Sequence, residues 1–82
     1  MNSQRTQEVI PLIMLPASED AQVVEVRGGK GMSQRLSSMG IYPGQTVSLI
    51  NSNPAGPVIV KIQGTRVAIG RGMAHRVMVE TT

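Results

Sequence analysis

Apolar and polar positions alternate over much of this chain, and the alternation predicts short strands linked by tight turns. A first strand is expected over Val9 to Leu15, closed by Pro16, with a polar connection through Ala17, Ser18, Glu19 and Asp20. Ala21 to Arg27 reads as a half-buried strand with Val24 and Val26 inward, Glu25 and Arg27 outward, and Val23 covering an edge. The period then changes. Met32, Leu36 and Met39 recur at i, i+4 and i+7, which puts one apolar stripe on a helix of about two turns. Gly40 follows where a helix ends in a residue of positive φ, and Ile41-Tyr42-Pro43-Gly44 reads as a turn with Pro and Gly at its centre. Alternation resumes in Thr46 to Ile50, Val58 to Ile62 and Thr65 to Ile69, the last two joined by the two-residue hairpin Gln63-Gly64. Asn51 to Gly56 is expected to be a loose loop and Gly70 to His75 a short bend. Arg76 to Glu80 is then the final strand.

Composition agrees with an all-β inventory. Nine glycines and five prolines in 82 residues call for many turns. Tyr42 is the only aromatic residue, so branched aliphatics and methionine must supply the apolar area. A chain of this size buries only about 60% of its unfolded surface and so forms one modest core. There is no cysteine, which removes disulfides, thiolate zinc sites and iron–sulfur clusters and fits a reducing compartment. The apolar run Ile10 to Leu15 is interrupted by Pro11 and is far too short to span a bilayer. Residues 1–8 carry no signal-peptide pattern. The expectation is a cytoplasmic domain over residues 9–82 behind a flexible polar leader.

The candidate chemistry is sparse. Gly28-Gly29-Lys30-Gly31 stands between a strand and a helix, where a phosphate cradle would sit. Gln34 occupies the position where G-x-G-x-x-G needs glycine, and Gly31 follows Lys30 where a Walker loop needs Ser or Thr. The stretch therefore reads as a turn into the helix. His75 is the only histidine, and of five carboxylates only Glu19 and Asp20 are neighbours. No metal site is expected from one chain, because a stable first-row site needs three or four converging ligands. His75 is also the only side chain suited to base catalysis near neutrality, and no nucleophile is paired with it. The reading is a protein without cofactor or enzymatic activity. The net charge of +3 is scattered, and Tyr42 alone provides no stacking platform, which weighs against a nucleic-acid partner.

Taken together, Arg35-Leu36-x-x-Met39-Gly40-Ile41-x-Pro43-Gly44 resembles the R-L-x-x-L-G-[IL]-x-P-G pattern of the FeoA family of ferrous iron transport proteins. Ile13 to Pro16, Ala21 to Val26, Gly56 to Val58 and Gln63 to Ala74 extend the similarity over nearly all of the chain after residue 10. Gly70 departs from the bulky residue common before Arg71 in that family. Five to six short strands with one short helix between the second and third predict a small, partly open barrel, and the resemblance implies that it is SH3-like. It implies an adaptor that binds the cytoplasmic part of the FeoB transporter, with no membrane insertion of its own. A nucleic-acid-binding module or a self-associating adaptor, a homo-oligomer pairing exposed strand edges, is the alternative. The contact residues expected are Arg35, Met39 and Tyr42, with Lys30 and Gln34 at the rim.

Overall fold

The computed structural model describes residues 8–81. Six strands form a single antiparallel sheet in the order β1-β6-β2-β3-β4-β5: β1 (Val9–Pro11), β2 (Asp20–Val26), β3 (Thr46–Ser52), β4 (Val58–Ile62), β5 (Thr65–Ile69) and β6 (Val77–Thr81). The sheet curls around one aliphatic core, and β1 and β5 are its two ends. Helix α1 (Lys30–Ser38) lies between β2 and β3, as the periodicity requires. A second helix of one turn, α2 (Arg71–Ala74), joins β5 to β6.

The expected alternation holds best in the second half. Val58, Val60 and Ile62 are buried while Lys61 is exposed, and Gln63 and Gly64 both take positive φ in the two-residue turn. Leu12, Leu36, Ile41, Val47, Val58, Val60, Val77 and Val79 are fully buried. Each such side chain contributes about 1.5–3 kcal/mol relative to an exposed position, which is how a core without Phe or Trp holds the barrel.

Four local expectations need correction. The first strand stops at Pro11, and Leu12 to Met14 form a 3-10 turn that drives Leu12 into the core. Pro11 has no N–H for continued pairing, so the ladder to β6 ends there. In β2 the inward residues are Ala21 and Val23, not Val24: Val23 is 1% exposed and Val24 36%. A β-bulge between Val23 and Glu25 shifts the register against β6, so Val26 turns back toward the core out of phase with Val23. A strict two-residue alternation cannot anticipate that slip. The bend at Gly70 to His75 contains α2, whose single turn is too short to show a period; His75 is its exposed C-cap. The loop after β3 is also more tightly held than its composition suggests. Strand β3 runs to Ser52, and Arg71 Nη1 donates to the Asn53 carbonyl at 2.8 Å and to Ser52 Oγ at 3.4 Å.

The end of α1 is closed by a full Schellman motif. The Ile41 N–H donates to the Leu36 carbonyl at 2.9 Å, and the Gly40 N–H to the Ser37 carbonyl at 2.9 Å. Gly40 has φ +96°, and a Cβ there would stand 3.2 Å from Ile62 Cγ2. Leu36 and Ile41, the two apolar residues that accompany such a cap, are both 0% exposed.

Two comparisons test this description. Gly40→Ala combines a left-handed backbone with a tight contact and should lose about 1–3 kcal/mol, read as a lower midpoint in urea unfolding. Val23→Asp should prevent folding, whereas Val24→Asp should change stability by about 0.5 kcal/mol or less. Equal effects at 23 and 24 would contradict the bulge.

Candidate functional site

The bulge and the helix cap together build a groove. Strand β2 pairs with β3 only through Asp20, Ala21 and Gln22. The contact ends with Val23, whose N–H donates to the Gln45 carbonyl at 2.9 Å and whose carbonyl accepts from the Gly44 N–H at 2.8 Å. Beyond it β2 runs beside β6 alone, because the chain entering β3 arrives through the turn Tyr42 to Gln45, closed by the Gln45 N–H on the Tyr42 carbonyl at 3.1 Å. Pro43 and Gly44, with φ +97° at Gly44, occupy the centre of that turn. Gln22 Nε2 also donates to the Gly44 carbonyl at 3.2 Å and fixes the turn to β2.

Between this turn, α1 and the far half of β2 lies an open groove of roughly 500 Å³. Val24, Ile41, Tyr42 and Pro43 give it an apolar side, and Ser33, Gln34 and Ser37 line it from the helix. Val24 and Tyr42 are two of the four large apolar residues exposed among those described, and both face this one space. The Tyr42 hydroxyl accepts a hydrogen bond from Gln45 Nε2 at 3.2 Å, across the turn that closes the groove. At the outer rim Arg27 Nε donates to Glu25 Oε2 at 3.4 Å; both side chains are more than half exposed, so this pair contributes little to stability.

Of the residues singled out by sequence, Gln34 and Tyr42 come together on the groove. Lys30 and Arg35 are exposed on α1 but do not line it. Met39 is half-buried and packs against the core from the C-cap of the helix. Val24, Ser33, Ser37 and Pro43 were not picked out as site residues from sequence. For Val24 the signal was present, since three valines in four positions cannot all face inward in a strand.

The arrangement offers an apolar cleft edged by hydroxyls and an amide. Among the described residues no three histidine or acidic side chains gather as a metal-ligand group, and no helix is long and apolar enough to cross a membrane. A cleft of this kind recognises a side chain or a segment of another molecule by burial and a few directed hydrogen bonds.

These features define a small SH3-like barrel with a groove beside helix α1. The FeoA domain model matches residues 10–81, and the chain belongs to that family. A curated relative from Methanocaldococcus jannaschii, assigned the name Fe(2+) transport protein A, is 43% identical over 70 residues, covering 85% of this chain and 84% of the relative. The crystal structure of an iron uptake regulatory protein, FeoA, is similar at 41% identity and TM-score 0.85, covering 92% of this chain and all of that one. A zinc-complexed FeoA of Stenotrophomonas maltophilia, described as a prokaryotic SH3 domain protein, matches at 29% identity and TM-score 0.69, over 83% of this chain and 86% of that one.

Tyr42 is the only fluorophore of the chain, with 42% of its surface exposed at the groove. Its emission should be quenched readily by acrylamide in the free protein, and the quenching should fall when a ligand fills the groove. Val24→Asp should leave the free-state quenching unchanged and abolish the protection.

Proposed function

We propose that this protein is a cytoplasmic, non-catalytic accessory of ferrous iron uptake that binds the cytoplasmic part of a FeoB-type transporter. Family membership over residues 10–81 supports the iron connection, as does the name of the M. jannaschii relative. The S. maltophilia protein is itself proposed to act as an activating factor of ferrous iron transport. The single observation that carries a contact role is the meeting of Val24 and Tyr42, both exposed, in one open groove.

In this reading Tyr42 and Val24 are the apolar anchors, because burying a half-exposed aromatic and a valine on docking yields the area that contact energy requires. Gln34 supplies a directed amide beside them. Lys30 and Arg35 stand on the exposed surface of α1, outside the groove lining, and meet the partner at the edge of the contact, where charge sets association rate and orientation more than affinity. Met39 holds the helix at its working height by packing beneath it. SH3 domains that read proline-rich peptides use several aromatic side chains, and this chain has one. The occupant is accordingly a folded surface or an apolar side chain of the transporter rather than a PxxP segment.

The test is retention of the purified protein on an immobilised FeoB-type cytoplasmic domain. Tyr42→Ala should weaken retention by about tenfold or more, since truncating an aromatic anchor costs about 2 kcal/mol. Arg35→Glu should slow association and flatten its salt dependence, because the attractive charge that salt screens is gone. Retention unchanged in both variants, with both folded by circular dichroism, would remove the groove and helix from the contact.

A further inference from the structure

A second surface, sharing no residue with the α1 groove, breaks a rule that strand pairing normally obeys. Lys61 of β4 and Arg66 of β5 are direct cross-strand partners. The hairpin turns at Gln63-Gly64, with Ile62 opposite Thr65 as the hydrogen-bonded pair that flanks a two-residue turn, so the next pair out, Lys61 and Arg66, is of the non-hydrogen-bonded kind. Side chains in such pairs approach most closely, and like charges placed there destabilise a sheet. Both residues are exposed. All five carboxylate side chains of the protein lie within the described residues, and the one ion pair found there joins Arg27 to Glu25. The repulsion between Lys61 and Arg66 is therefore uncompensated by any acidic side chain of the chain itself.

The same row continues across the sheet. Ser48 of β3 is the register partner of Lys61 on its other side, and Asp20 of β2 is the partner of Ser48. Ser48 is the one buried polar residue among those described, 7% exposed. It lines a polar groove of roughly 290 Å³ with Asp20, Gln45, Lys61 and Gln63. Asp20 stands two strands from Lys61, about 10 Å away by strand spacing, and marks the acidic end of the groove. Beyond Ser48 the groove carries Lys61 and the Gln63 amide, and Arg66, outside its lining, stands beside Lys61 across the hairpin.

We propose that this face of β3, β4 and β5 docks an acidic peptide segment, whose carboxylates sit over Lys61 and Arg66 and whose chain runs away from Asp20. Carboxylates held between two cations make charge-assisted hydrogen bonds, about twice as strong as neutral ones, and they turn the cross-strand repulsion into attraction. Ser48 and Gln63 supply hydrogen bonds that fix the segment's register. The pair thus costs stability in the free protein and returns it on binding, as expected when a local rule is broken at a working surface. The turn Tyr42 to Gln45 stands between the two grooves, with Tyr42 and Pro43 lining one and Gln45 the other.

The experiment has two readings on the intact protein. In thermal unfolding, Lys61→Gln and Arg66→Gln should each raise Tm by about 1–4 °C, because each removes the repulsion. In a titration of isotope-labelled protein with a capped oligoglutamate peptide at low salt, amide shifts should centre on Ser48, Lys61, Gln63 and Arg66. The double variant should weaken that binding by about tenfold or more, and physiological salt should weaken it in both forms. Lower Tm in the neutralised variants would overturn the proposal, as would absent shifts or shifts spread over Arg27, Lys30, Arg35 and Arg76. Tighter binding of a single-stranded oligonucleotide at the same amides would overturn the choice of an acidic peptide.

Discussion

The left-handed cap at the end of α1 is the constraint on which the rest of the working surface depends. A helix of nine residues has no independent stability in water, so α1 persists because Met32, Leu36 and Met39 pack on the core and its end is locked there. Gly40 permits the reversal, the Ile41 and Gly40 amides satisfy the Leu36 and Ser37 carbonyls, and Leu36 and Ile41 are buried together as a consequence. The reversal also delivers the chain into the Pro43-Gly44 turn at the height where Gly44 and Gln45 can pair with Val23. One backbone conformation thus sets the helix, the turn and the end of the β2–β3 contact. The groove is what remains between them.

The aliphatic core explains why such a surface can be left open. Branched side chains in strands fill the barrel with few rotamers to lose, and the fully buried set includes residues from β2, β3, β4 and β6 as well as α1 and the 3-10 turn. The lone aromatic residue is not needed for packing and is free to face solvent at the groove. On the outer face of β4 and β5, Lys61 and Arg66 are exposed and take no part in the core. That freedom permits an uncompensated Lys61–Arg66 pair which a small domain with no margin would have to remove.

Much of the fold could be read from the residue pattern, and the exceptions have identifiable causes. Strands β4 and β5, their hairpin and the α1 cap were legible because each rests on local chemistry: two-residue alternation, a two-residue turn, and glycine at a left-handed position. The phase of β2 was not, because a bulge is a property of the partner strand's register as much as of its own sequence. The short helix α2 was not, since one turn leaves no period to detect. For the candidate site, the helix and turn that carry Gln34 and Tyr42 were visible as elements, but the far wall of the groove was hidden with the phase of β2. Strict alternation accordingly puts Val24 on the wrong face.

By itself the sequence determined the types of the longer elements, the absence of cysteine chemistry, and the motif from Arg35 to Gly44 that marks the family. These follow from short-range sterics, backbone hydrogen bonding and residue inventory, none of which needs the rest of the chain. The tertiary structure alone decided which apolar residues were left over from the core, and where polar ones met. Val24 faces a groove because β3 turns away at Gln45, and Lys61 faces Arg66 because a two-residue turn fixes their register. Exposure and charge juxtaposition are set by residues distant in the chain, so they exist only once the strands have paired.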